Sequence, residues 1–193
     1  VQLPGAGGGA TFPNRAYLPL RIGNTMTDST GTGRQSITKM AMPPVKHIGV
    51  VVKDLDAAAQ SYTSQFGIGP WRVLALHAQT SQVRGKMVTW QTKVALAEWG
   101  AVELELIQVL EGRPIYSEFL DQGREGVHHF GCVLTKDEKN AVMADAARSG
   151  IAVLQEGRFG LGGSYAYLDT EKLCGVIFEL VCMPKEPLPE KEL

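Results

Sequence analysis

The chain is poor in cysteine, has no surplus of either charge, and contains no long apolar run. Three cysteines in 193 residues, Cys132, Cys174 and Cys182, are too few and too unevenly spaced for a disulfide framework. Cys132 and Cys182 fall in apolar stretches, where a free thiol behaves as a small buried hydrophobe. A formal net charge of −1 gives no argument for nucleic acid or an anionic membrane as partner. No apolar run approaches the roughly 20 residues that a spanning helix needs. These absences predict a cytoplasmic protein whose partner is a small molecule. The hydrophobic fraction of 44% is that of an ordinary globular chain, long enough for one good-sized domain.

Residues 1–44 are rich in Gly, Ser, Thr and Pro and show no sustained periodicity, so they bury too little to offset the entropy of ordering. They read as a flexible N-terminal extension. Residues 1–27 carry Arg15 and Arg21 and no acid, a bias shared with organelle transit peptides; Met26, Met40 and Met42 are candidate translation starts. From Val45 the pattern sharpens. His47–Val52 is a β-branched apolar run that predicts a buried strand. Asp54 is placed to cap a helix carrying Leu55, Ala58, Ala59, Tyr62 and Phe66, which Gly67 stops. Strands follow at Trp71–Leu76, Lys86–Ala97 and Ala101–Val109. A connector over 111–126 bears Ile115, Phe119 and Leu120 on one helical face. The order then repeats: a strand at His129–Leu134, a helix at Lys136–Ser149, and strands at Ile151–Gln155, Ser164–Asp169 and Gly175–Met183. A short charged tail covers 184–193.

The fold class predicted is α+β, built from two tandem βαβββ modules at 45–110 and 127–183. Each module opens on a His-x-Gly strand, His47-Ile48-Gly49 or His129-Phe130-Gly131, and closes on an apolar strand carrying a glutamate, Glu105 or Glu179. Modules that fold alike can bring His47, Glu105, His129 and Glu179 to one point, and two imidazoles with two carboxylates suit one divalent ion of the Zn, Co, Ni, Mn or Fe type. Register selects His129 over His128, which alternation sends to the outer face. Glu179 has Val176, Ile177, Phe178, Leu180 and Val181 around it and no basic residue on its strand. An ionised carboxylate there calls for a metal or a raised pKa.

Several segments together resemble the vicinal oxygen chelate superfamily of glyoxalase I, methylmalonyl-CoA epimerase, extradiol dioxygenases and antibiotic-resistance proteins. They are Lys46–Asp56, Glu105–Gln108, Gly126–Phe130, Gly162–Ser164 and Ile177–Leu180, with the epimerase-like branch nearest. The resemblance implies a cup-shaped, mostly antiparallel sheet around the metal, ligands at His47, Glu105, His129 and Glu179, and a homodimer. It also implies that an epimerase carries a second acid–base glutamate on a strand of the first module. An ungapped count back from Glu105 puts Val88 there, and valine cannot move a proton.

The reading is therefore a metal-dependent isomerase, epimerase or lyase that stabilises an enolate-like intermediate of a small oxygenated acid or acyl thioester. Glu179 is the expected catalytic base, its pKa raised by its apolar strand. Tyr165, Tyr167, Trp90 and Lys86 are candidate substrate contacts, and Arg84 is a further loop cation. The alternatives are an Fe(II) extradiol-type dioxygenase, whose facial triad leaves no place for a fourth ligand, and a non-catalytic drug-sequestering protein.

Overall fold

The computed structural model describes residues 40–188 and 190–192; most of the extension expected at 1–44, including its transit-like bias, lies outside them. The first half of the described chain runs β1 (His47–Val51), α1 (Leu55–Phe66), β2 (Arg72–Val83), β3 (Lys86–Trp99) and β4 (Val102–Glu111). A connector helix α2 (Ile115–Asp121) leads to β5 (Gly126–Val133), α3 (Lys136–Arg148), β6 (Val153–Phe159), β7 (Gly163–Leu168), the short α4 (Glu171–Cys174), β8 (Ile177–Cys182) and β9 (Glu190–Glu192). Helix starts follow local chemistry. Asp54 accepts the Ala57 N–H at the head of α1, and Thr135 with Glu138 forms a reciprocal capping box on α3. Gly67, at φ 69°, ends α1 in the left-handed conformation.

The strands form one curved sheet in the order β3-β4-β1-β5-β8-β7-β6-β2-β9, and a β2–β3 pairing closes its first eight members into a ring. β1–β4 and β5–β8 are parallel, and the remaining pairs are antiparallel. The two halves meet at two antiparallel seams, β1–β5 and β2–β6. Alternation then sorts the side chains. Val50, Leu104 and Leu106 point outward under α1, and Cys132, Leu168 and Leu180 point outward under α3. Inside the ring lie Val94, Ile107, Tyr165, Tyr167 and Val181, with Ile115, Tyr116 and Phe119 of α2 packed among them. Met40 and Met42, assigned by sequence to the extension, pack against the cluster beneath α3.

Three elements depart from the sequence expectation. β2 continues to Val83 and turns directly into β3 through Arg84 (φ 47°) and Gly85 (φ 76°), a two-residue hairpin. Its second half is polar because its inward residue Ser81 accepts the Trp90 indole N–H at 2.6 Å, which hides the apolar alternation that marks a strand. α4 fills the turn between β7 and β8 and ends at Gly175, φ 78°. Part of the C-terminal tail forms β9 and pairs with Arg72–Leu74.

Helix α2 is fastened to the ring through Gln155, which is fully buried. The Gln155 carboxamide oxygen accepts the Ile115 N–H at 2.9 Å and its NH2 donates to the Tyr165 hydroxyl at 3.2 Å. Gln155→Leu strands a buried backbone donor, so it should cost about 1–3 kcal/mol. Urea denaturation checks this; unchanged stability would mean the fastening carries nothing.

Candidate metal centre

The antiparallel register of β1 with β5 sets His47 opposite Gly131 and His129 opposite Gly49. The two glycines are reciprocal clearances: a Cβ on Gly49 would sit 1.9 Å from the His129 ring, and one on Gly131 would sit 1.9 Å from the His47 ring. The repeated His-x-Gly spacing thus has a steric cause. Each half supplies an imidazole and the space that the other half's imidazole fills. β4 lies parallel to β1 with Gly49 opposite Glu105, and β8 lies parallel to β5 with Gly131 opposite Glu179, which brings both carboxylates to the same seam.

One ligand atom from each of His47, Glu105, His129 and Glu179 can be chosen so that all four lie within 4.8 Å of one another. Ligands on opposite sides of an ion at about 2.1 Å lie about 4.2 Å apart, so the cluster has the span of a first coordination sphere. His47 Nε2 is 2.8 Å from a Glu179 oxygen and 3.4 Å from one of Glu105. His129 Nε2 lies 3.3 Å from Glu105 and 3.4 Å from Glu179, yet it makes no well-formed hydrogen bond although fully buried. An orphaned buried imidazole nitrogen aimed at two carboxylates is what a bound divalent cation resolves, and two nitrogen with two oxygen donors fit such an ion.

Without a cation the site is held by protons. Burial alone would depress the histidines, but the neighbouring Glu105 and Glu179 raise His47 and push His129 up to about 9. Glu179 corrects the sequence expectation. Burial favours a raised pKa, as anticipated, but the His129 and His47 imidazoles beside the carboxylate outweigh it and hold it below the ordinary carboxylate range.

His128 is a second correction. The β1–β5 ladder slips between Gly49 and Val50, pairing His129 and then Val127, so His128 is the extra residue of a bulge. A bulge breaks the alternation that predicted an outward side chain. His128 is instead buried, edge-on to Tyr116 and Phe119, with its Nδ1 3.1 Å from Nδ1 of His129. Burial and the His129 charge depress its pKa to about 3, so it stays neutral and accepts the Nδ1–H of His129, which leaves His129 Nε2 facing the carboxylates. Tyr116, on α2, was not singled out by sequence. Its hydroxyl is 2.5 Å from that of Tyr167, and burial drives the pKa of both phenols upward, so both remain protonated.

The cluster opens on a cavity of about 150 Å³ lined by His47, Glu105 and Glu179. Trp90, Tyr165 and Tyr167, expected as substrate contacts, line it as well. Lys86 does not; it follows the Arg84-Gly85 turn at the hairpin tip and is exposed. Arg84 is engaged elsewhere, its guanidinium paired with Glu118 of α2 at 2.9 and 2.8 Å. The cation at the cavity is the exposed Lys46, with exposed Val133 and Met183 beside it. Sequence reading passed over Lys46, although its place before His47 sets it at the strand's entrance. Val88 pairs with Ser81, away from the ligands, and the β3 partner of Glu105 is Leu96. The β3 residues lining the cavity are Trp90, Thr92, Val94 and Leu96. None is acidic, so β3 offers no carboxylate there whichever register is chosen.

Residues 46–167 match the family model of the Glyoxalase/Bleomycin resistance protein/Dioxygenase superfamily. The chain belongs to that superfamily. Among solved structures it is similar to hypothetical protein BH1468 from Bacillus halodurans C-125, with 18% identity, TM-score 0.55, 76% of this chain and 98% of the other covered. It is also similar to a methylmalonyl-CoA epimerase in complex with methylmalonyl-CoA and NH4+, with 23% identity, TM-score 0.54, 77% and 100% covered. The methylmalonyl-CoA epimerase of Mycobacterium tuberculosis gives 20% identity, TM-score 0.51, 74% and 88% covered. Likenesses at this identity establish the shared fold. No curated protein matches the sequence. No helix among the described residues is long and apolar enough to cross a membrane.

Two outcomes are expected of the centre. In chelator-treated protein, the stability contributed by His129 is complete below the ordinary histidine value of 6.5 and disappears as pH rises through about 9. That of Glu179 is present above the ordinary carboxylate value of 4.5 and is lost as pH falls below it. Thermal melts between pH 6.5 and 9 should therefore fall with chelator and stay flatter with added divalent ion; parallel profiles would contradict the assignment. Gly49→Ala forces a methyl into the His129 ring and should cost about 1–3 kcal/mol, read by denaturation together with weakened metal binding.

Proposed function

We propose that the chain is a metal-dependent isomerase in which two βαβββ modules cup one divalent ion on His47, Glu105, His129 and Glu179. The observation that carries this reading is the orphaned Nε2 of buried His129, facing two carboxylates that themselves line a cavity. A divalent ion bound there would supply Lewis-acid stabilisation of an oxyanion developing on the substrate. The substrate class proposed is a small oxygenated acid or acyl thioester, in keeping with the complex of the epimerase neighbour with methylmalonyl-CoA.

Glu179 is the proposed base. It is the more buried of the two carboxylates, with its side chain 8% exposed against 19% for Glu105. A bound ion would keep the Glu179 carboxylate ionised, the form a base requires, and burial favours proton uptake once that carboxylate leaves the ion. Its carboxylate takes the proton α to the substrate carbonyl and returns it. No carboxylate of β3 lines the cavity, and Glu103 of β4, which does, is paired with Arg72, so transfer by a single base is favoured over inversion by two. The Tyr116–Tyr167 pair holds two protons and uses one between its own oxygens, leaving the other for a substrate oxygen. Lys46 at the cavity mouth suits an anionic group on the substrate. A homodimer in the cytoplasm completes the proposal. An Fe(II) dioxygenase is disfavoured because a fourth protein ligand stands where such a site stays open.

The test is proton exchange in deuterated water against short acyl thioesters and 2-oxo acids. Glu179→Gln should lower exchange by about 10²–10⁴-fold with metal content retained, while Glu105→Gln leaves exchange measurable. Exchange that survives Glu179→Gln would remove Glu179 from the role.

A further inference from the structure

Two side-chain polar atoms among the described residues are buried without a partner: Nε2 of His129 and Oγ1 of Thr92. The first is accounted for by a cation. The second has no such account. Thr92 is 1% exposed and lines the same cavity, from the inner face of β3 between Trp90 and Val94. Each other hydrogen-bonding group of that wall has at least one partner within the protein: the Trp90 indole N–H with Ser81, the Tyr165 hydroxyl with Gln155, and the Tyr116 and Tyr167 hydroxyls with each other, a pair that keeps one spare proton. A buried hydroxyl left without an acceptor is costly, and a valine of the same shape would avoid the cost. Placed in a cavity wall, an unsatisfied group is accounted for by the molecule that fills the cavity.

We propose that the Thr92 hydroxyl is a second recognition point in the cup, donating a hydrogen bond to a substrate oxygen other than those facing the metal. The inference rests on the metal-cup reading and narrows its substrate class to short chains carrying a further carbonyl or hydroxyl oxygen. Leu74, Val94 and Leu96 line the same cavity and take the carbon chain around that oxygen. The small cavity limits the part of the substrate so enclosed to about the size of a benzene ring.

The probes are alkanoyl hydroxamates of two to five carbons, which present two adjacent oxygens to a metal, and their ω-hydroxy counterparts. They are titrated calorimetrically into the full chain loaded with Zn(II). Wild type should bind at least one ω-hydroxy member about tenfold tighter than its plain counterpart, the range of one well-placed hydrogen bond. Thr92→Val should abolish that preference while keeping affinity for the plain series, and Thr92→Ser should retain it. Without any hydroxamate, Thr92→Val should also melt about 2–4 °C higher, because an orphaned group has been removed. Hydroxamates that bind with no ω-hydroxyl preference, or a preference that survives Thr92→Val, would overturn the inference and leave the metal cup standing. Failure of both Zn(II) and every hydroxamate to bind would overturn the cup itself, and the inference with it.

Discussion

The antiparallel pairing of β1 with β5 fixes everything at the centre. It sets each imidazole over the glycine of the opposite half, and the two parallel neighbours, β4 and β8, deliver Glu105 and Glu179 to the same seam. Strand periodicity does the rest, since one-residue alternation separates Glu105 and Glu179 from the leucines beside them that pack under the helices. The arrangement is electrostatically unstable by itself. Two carboxylates within hydrogen-bonding range of two imidazoles inside a mostly apolar ring require positive charge, either as protons on the histidines or as a bound cation. That requirement links fold to chemistry. A site that raises its histidines and depresses Glu179 when metal-free is one whose protons a divalent ion would displace.

Support for the four residues comes from groups further out. His128, turned inward by the bulge, orients His129, and Tyr116 with Tyr167 packs around both rings. Gln155 fastens α2, which carries Tyr116, to β6 and β7. The barrel interior is thus a chain of satisfied polar contacts beneath an unsatisfied site. Among the described residues, the Thr92 hydroxyl alone repeats the unsatisfied condition.

Much of the centre was legible in the sequence because it is written twice. His47-x-Gly49 and His129-x-Gly131 flag each other, and a glutamate in each closing strand completes the set. The doubled pattern also predicted the strand–helix–strand order with few errors. What escaped had no periodic signature. A bulge carries no sequence mark, so alternation sent His128 to the wrong side. Tyr116 belongs to the connector, outside the repeated pattern, and only tertiary packing brings it to the histidines. Lys86 was misplaced because the polar half of β2 read as a loop, which hid the tight turn that carries Lys86 to the hairpin tip. Counting back to Val88 assumed a fixed offset, whereas the hairpin pairing sets Leu96 beside Glu105; neither position is a carboxylate.

The central claim is that these four side chains hold one divalent ion. X-ray absorption spectroscopy of the full chain loaded with Zn(II) tests it directly. The account predicts one ion per chain in a shell of nitrogen and oxygen at about 2.0–2.2 Å, with the outer-shell scattering of two imidazoles. That imidazole signal should be lost in the His47→Ala, His129→Ala double variant. A chain that retains no ion, or a shell with sulfur at about 2.3 Å from its cysteines, would contradict it.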